Sequence, residues 1–120
     1  MEREKQLREQ IAQALLRFAE VHLRVKPHAA LVDIHERSVV VTLENIVPPV
    51  ERDYARDNQG YELLDKSYTG VYACTRRMAE IELERILDRH IKNSILRVDP
   101  ESGNAFLVFS LACRDRKSVV

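Results

Sequence analysis

Apolar residues recur at helical spacing over the first two dozen positions of the chain. Between residues 2 and 24, one stripe repeats every three or four positions: Leu7, Ile11, Leu15, Phe18 and His22. Such spacing places the side chains on one face of an α-helix. Pro27 cannot continue a helix and disfavours the helical conformation at Lys26. The pattern therefore predicts an amphipathic helix that ends shortly before Pro27.

Two β-branched segments follow this helix, at residues 29–34 and 39–43, around a polar break. Side-chain alternation with period two on both sides of a short break is typical of an antiparallel hairpin. Apolar residues occupy both faces, as Leu31 and Val32 illustrate. We therefore expect helices to cover one face of the sheet and a second subunit to cover the other.

Two further helices are predicted in the middle of the chain. Pro49 suits the first position of a helix, where an N–H would have no partner, and Glu51 would lie near the positive end of the helix dipole. This helix is predicted to end near Asn58, because a Gln-Gly pair follows. A longer helix is predicted over about 69–91, and its broad apolar stripe indicates packing on two sides.

The last apolar segments, about 94–98 and 105–112, flank a reversal that contains proline and glycine. The order helix, hairpin, helices, hairpin predicts an α+β fold, with a four-stranded antiparallel sheet and helices packed on one face. A length of 120 residues fits a single domain. We expect its core over about 9–112 and a polar C-terminal tail at 113–120.

The composition, with 45% apolar and 32% charged residues, is typical of a globular protein with a charge-rich surface. A formal net charge of zero gives no general attraction to nucleic acid, which is not expected as a partner. Cys74 and Cys113 lie outside any CxxC spacing, which favours a reducing, cytoplasmic compartment. The charged N-terminus is unlike a signal peptide, and no apolar run approaches the roughly 20 residues of a membrane helix. Membrane association is therefore expected through a partner and not by direct insertion.

Motifs for catalysis, cofactors or metals are missing from the sequence. Three glycines cannot build a GxGxxG or phosphate-binding loop, and no serine has a GxSxG context. No HExxH or paired His/Cys spacing indicates a metal site. Cys74 falls in the apolar stripe of the long helix and is expected in the core, not as a nucleophile. The sequence thus predicts no catalytic residue, no cofactor, no metal and no enzymatic activity.

Four residues are candidates for a ligand or partner contact, namely His28, Glu51, Arg76 and Arg77. Glu51 either makes such a contact or complements the helix dipole. Arg76 and Arg77 have the spacing of exposed ion pairs with Glu80 on one helix. Guanidinium groups also bind oxyanions in a fork, so the two arginines and His28 could line an anion pocket between sheet and helices.

The segment VVVTLENIVPPVE, residues 39–51, resembles the central motif of a bacterial family, in which an apolar strand runs into L-x-G-V-L-T-P-x-E. This is the MpsC-like family, named for a sodium-translocating, membrane-potential-generating system. The resemblance covers roughly residues 9–111 in the order and length of the elements. The matching positions are Pro27, Leu43, Pro49, Glu51 and either Arg76 or Arg77, and residues 106–111 match the closing apolar strand of the family.

Several positions depart from the family pattern, so the chain resembles a divergent member. Arg24 and Lys26 stand where the family has two glycines, and we expect this turn to use ordinary backbone angles. Asn45 replaces a glycine, and asparagine tolerates positive φ better than most residues. Pro48 replaces the threonine that would cap the following helix.

The resemblance implies a non-enzymatic interaction or regulatory domain of a membrane-potential-generating system for cation or inorganic-carbon transport. We expect a cytoplasmic homodimer that contacts a membrane transporter. Its dimer contact would lie on the uncovered sheet face or on the long helix. The alternative is a small-molecule or anion-binding sensor domain that uses Arg76, Arg77 and His28.

Overall fold

The computed structural model describes residues 2–113, so the predicted tail lies outside the described residues except for Cys113. A five-residue π-helical turn, Ala19–Leu23, continues the first helix. The helices and strands are α1 (Glu2–Phe18), β1 (Ala30–Ile34), β2 (Ser38–Leu43), α2 (Pro49–Tyr54), α3 (Asn58–Leu87), β3 (Ile91–Asp99) and β4 (Asn104–Leu111). The predicted order of elements is confirmed.

The four strands form one antiparallel sheet in the order β1-β2-β4-β3, which confirms the predicted α+β fold. Each hairpin joins neighbouring strands, and β2 pairs with β4 at the centre of the sheet. The register places Val40 beside Asp33 of β1 and Val108 of β4, and Val108 beside Ile95 of β3. Each such row of four side chains points to the same face of the sheet.

The core lies between the sheet and the two long helices. The inward side chains of the central strands are fully buried, as Val41 and Phe109 show. α1 contributes Ile11 and α3 contributes Leu83, both also fully buried. Phe18 of α1 meets Tyr72 of α3 edge to face, with ring centroids 6.0 Å apart. Helices α1 and α3 thus pack against each other and against one face of the sheet.

The turn after α1 departs from its prediction. Arg24 adopts the left-handed conformation, with φ of 60°, so the expectation of ordinary backbone angles was wrong. A left-handed residue closes a helix by directing the next N–H groups back to its last carbonyls. Here the N–H of Val25 reaches the carbonyl of Ala19. Closing the helix offsets a left-handed penalty of roughly 1–2 kcal/mol for a residue with a Cβ.

The longest helix, α3, begins and ends earlier than predicted. It starts at Asn58 and not near residue 69, because Asp57 caps it by accepting a 2.7 Å hydrogen bond from the N–H of Gly60. The Gln-Gly pair that was expected to break the helix therefore lies in its capped first turn. At the other end, Asp88 takes a left-handed conformation with φ of 55°. Strand β3 consequently begins at Ile91.

Candidate functional site

The segment that resembles the family motif forms the turn from β2 into α2. Asn45 has a φ of 59°, in line with its place at a glycine position. Its N–H donates to the side-chain oxygen of Asn104 at 2.9 Å, and its side chain lies 3.2 Å from the His28 ring. Pro48 precedes α2 without a side-chain cap, as the loss of threonine implies.

Arg52 holds this turn against the β3–β4 turn, a role that sequence reasoning missed. Its Nε donates to the carbonyl of Val47 at 3.1 Å, and its guanidinium contacts the side-chain oxygen of Asn45. The same guanidinium lies over Gly103, whose φ is 81°. The carbonyl of Gly103 in turn accepts from the N–H of Ile46 at 2.7 Å. No spacing in the sequence predicts this contact, because these residues come together only when the strands of the sheet pair.

Beside this turn, a cleft of about 710 Å³ separates α2 from the β3–β4 turn. Charged residues of both signs line it: Arg52, Asp53, Arg56, Asp99 and Glu101. Arg56 and Asp53 approach each other to 3.4 Å and are both well exposed. The mixed lining favours neither an anionic nor a cationic ligand.

Glu51 contacts α3 and not the cleft. One carboxylate oxygen accepts a 3.2 Å hydrogen bond from the Tyr68 hydroxyl. Burial and the neighbouring Glu51 charge raise the pKa of Tyr68 to about 12. The contact ties α2 to α3. Glu51 also lies in the first turn of α2, where a negative charge is favourable.

Arg76 and Arg77 pair with Glu80, as their helical spacing predicts. Arg77 Nη1 lies 3.1 Å from one Glu80 oxygen, and Arg76 Nε lies 3.9 Å from the other. The prediction that these pairs are exposed is nevertheless wrong for Glu80, because its carboxylate is buried against β3. Arg76 also donates to the side-chain oxygen of Asn93 at 2.8 Å. Both guanidinium groups thus have partners within the chain.

Glu80 is the centre of a buried polar network that includes Ser94 and Tyr72. The Ser94 hydroxyl donates to Glu80 Oε2 at 2.5 Å, and the Tyr72 hydroxyl lies 2.7 Å from Ser94 Oγ. These three residues are each at most 4% exposed. Burial is the main cause that raises the pKa of Tyr72 to about 12. The network joins α3 to β3 in a polar contact shielded from water.

The raised pKa of Tyr72 predicts a loss of stability at alkaline pH. The unfolded chain releases this proton near pH 10, whereas the folded protein holds it to about pH 12. The contribution of Tyr72 is therefore fully present below pH 10 and is lost as the pH rises towards 12. We expect urea unfolding to show that the free energy of unfolding decreases less between pH 9 and pH 11 for Tyr72→Phe than for the wild type. An equal decrease in both proteins would contradict this assignment, and Tyr61→Phe provides a control at an exposed tyrosine.

The structure separates His28 from the two arginines. His28 precedes the edge strand β1, and its ring contacts Asn45. Arg76 contacts Asn93 near the start of β3, the opposite edge strand. The three candidate residues therefore do not line a common pocket. Within residues 2–113, no group of three or more histidine, cysteine or acidic side chains is arranged to hold a metal ion.

Among residues 2–113, the apolar side chains outside the core include two groups that each share one surface. The first, which we call the outer sheet face, is the side of the sheet that no part of residues 2–113 covers. Its apolar members are Leu31, Val40, Ile95, Phe106 and Val108. Leu31 and Ile95, on the two edge strands, are 52% and 44% exposed. The central side chains of this face are half-buried by their neighbours.

The second surface, which we call the α3 seam, comprises Val71, Cys74, Met78 and Ile81. These residues repeat at three- and four-residue spacing, and Met78 and Ile81 are about half exposed. The prediction that Cys74 lies in the core was wrong, since its side chain is exposed. The reason is the two-layer architecture, in which α3 packs through one face and no layer formed by residues 2–113 covers the opposite face. None of the described helices is apolar over a length that could span a bilayer.

A comparison with known families agrees with this fold. The sequence model of a family described as Na+-translocating membrane potential-generating system (MpsC) matches residues 3–113. The match includes every element of the fold from α1 to β4 except the first residue of α1. No curated protein and no solved structure matches the chain.

Proposed function

We propose, because this chain belongs to the Na+-translocating membrane potential-generating system (MpsC) family, that it is a non-enzymatic interaction domain of such a system. It acts as a homodimer on the cytoplasmic side and regulates a membrane transporter by direct contact. The outer sheet face forms the dimer contact. The α3 seam contacts the transporter.

The apolar outer sheet face is the observation that carries this proposal. An antiparallel sheet with one solvated face usually alternates apolar residues inward and polar residues outward. Here Val40 and Val108, on the two central strands, place apolar side chains outward in one row, and Ile95 extends that row to the edge. Burying such surface contributes about 25 cal/mol per Å². A rigid apolar face of this kind fits another protein surface.

The environment of the candidate residues also favours interaction over catalysis or anion sensing. The guanidinium groups of Arg76 and Arg77 are partly neutralised by Glu80, and Arg77 also lies 3.4 Å from Glu84. An added anion would have to compete with these carboxylates. His28 lies at the opposite edge of the sheet and adds no charge to this cluster. The surfaces are therefore better candidates for function than these polar groups.

The dimer contact can be tested by placing a charge on each surface separately. We expect the wild type to be a dimer at micromolar concentration, and Val108→Glu to weaken association about 100-fold, because a buried unpaired carboxylate is costly. Ile95→Glu, on an exposed edge position, should act in the same direction with less risk to folding. Met78→Glu on the α3 seam is the matched control and should remain dimeric.

Light scattering and sedimentation equilibrium measure the association, and circular dichroism checks that each variant is folded. A monomeric wild type would contradict the homodimer. Dissociation by Met78→Glu, with the two sheet variants still dimeric, would move the contact to the α3 seam and overturn the assignment to the sheet.

A further inference from the structure

We propose that two copies pack their outer sheet faces about a two-fold axis that runs along the strands, with Asp33 of each copy paired to Arg97 of the other. This inference rests on the proposed function, because it takes the outer sheet face as the dimer contact. It adds the orientation of the two copies and the charges that select it.

The strand register places these charges at opposite corners of the apolar face. Asp33 lies on edge strand β1, in the row that continues through Val40 and Val108. Arg97 lies on the other edge strand, β3, in the next row, beside Phe106. Both side chains are exposed. Among residues 2–113, neither has an ion-pair or hydrogen-bond partner for its side chain.

Two-fold symmetry allows two ways for two copies to pack their outer sheet faces against each other. An axis along the strands exchanges the edges, so that β1 of one copy lies over β3 of the other and β2 lies over β4. An axis across the strands instead lays each strand over itself, with the row of Asp33 over the row of Leu31. That second arrangement keeps Arg97 of the copy at the far edge of the face, so Asp33 would be covered without a positively charged partner, and burying an unpaired charge is costly.

The axis along the strands brings opposite charges within reach of each other. Asp33 and Arg97 lie one outward row apart, which is about 7 Å along a strand, and packed sheets lie about 10 Å apart. The long stem of an arginine can cross this gap along the edge of the contact. Because the axis is two-fold, the pairing occurs twice, once at each edge. Valine, isoleucine and phenylalanine side chains fill the space between the two pairs.

The size of the face sets the expected strength of the dimer. Four strands at about 4.8 Å spacing make a face roughly 19 Å wide. Such a contact lies at the small end of stable interfaces, so we expect a micromolar dissociation constant. The dimer leaves the α3 seam exposed on each outer side, because α3 lies on the opposite face of the sheet.

Charge reversal tests the orientation. Asp33→Arg or Arg97→Asp alone should raise the dissociation constant at least tenfold, because like charges then meet at both edges. The double variant Asp33→Arg/Arg97→Asp restores opposite charges and should return the constant to within about threefold of the wild type. Glu62→Arg, an exposed reversal on α3, is the matched control and should leave the constant unchanged.

Sedimentation equilibrium at low and high salt measures these constants, and the outcomes separate the two proposals. If Val108→Glu dissociates the dimer but the double reversal fails to restore it, the orientation is overturned while the sheet contact stands. If the single reversals have no effect, the orientation is likewise overturned. A monomeric wild type would remove both proposals.

Discussion

Replacing Ser94 by alanine is expected to lower the free energy of unfolding by about 3 kcal/mol. The substitution removes the hydroxyl that donates to the Glu80 carboxylate at 2.5 Å and that lies 2.7 Å from the Tyr72 hydroxyl. Both partners stay buried, at 4% and 2% exposed, so water cannot readily replace the lost contacts. A buried polar group left without a partner costs about 1–3 kcal/mol, and more when it is charged. Thermal unfolding should shift down by about 10 °C.

Tyr72→Phe is the matched control for this network. It removes the other hydroxyl but leaves the bond from Ser94 to Glu80 intact, so the expected loss is about 1 kcal/mol. Urea unfolding monitored by circular dichroism gives both values. If Ser94→Ala costs no more than Tyr72→Phe, the Glu80 carboxylate does not depend on Ser94, and the network is not a unit.

Replacing Gly103 by alanine is expected to cost about 2–3 kcal/mol through two separate effects. A φ of 81° is unfavourable for any residue with a Cβ, by roughly 1–2 kcal/mol. The new Cβ would also lie 2.7 Å from the Arg52 Cζ, so the guanidinium must move. Movement weakens its hydrogen bond to the Val47 carbonyl and its contact with Asn45.

Two further variants separate these effects. In an Arg52→Ala background the steric clash is gone, so Gly103→Ala should then cost only the backbone penalty of roughly 1–2 kcal/mol, and the double-mutant cycle should show coupling. Gly70→Ala is the matched control and should change the stability in the opposite direction. Gly70 lies within α3 and a Cβ there meets nothing within 4 Å, so alanine should stabilise by about 0.5–1 kcal/mol. Additive effects of Gly103→Ala and Arg52→Ala would contradict the proposed clash.

These expectations assign a structural role to much of the segment that resembles the family motif. Asn45 and Arg52 join the β2–α2 turn to the β3–β4 turn, and Glu51 joins α2 to α3. Arg77 helps to neutralise Glu80 at the α3–β3 contact. Residues that hold elements together need no ligand to explain them. Within residues 2–113, the outer sheet face and the α3 seam have no such structural explanation.

Hydrophobic periodicity was sufficient to predict the order of elements and the α+β fold. The alternation of residues 39–43 and the stripe that begins at Leu7 report which side chains are buried, and burial dominates the energy of a small domain. The ends of the elements were predicted less well. Asp57 and Asp88 set the limits of α3 through local backbone and capping geometry, which overrides an apolar pattern.

The sequence by itself determined the number and type of the elements and the apolar character of both sheet faces, because these depend on neighbours along the chain. Tertiary structure decided which stripe of α3 faces the core, leaving Met78 and Cys74 in solvent. It also decided that Ser94 meets Glu80, that Gly103 meets Arg52, and that Asp33 and Arg97 lie at opposite corners of one face. Each of these arrangements involves residues that are distant along the chain, so its geometry arises only when the sheet and helices pack together.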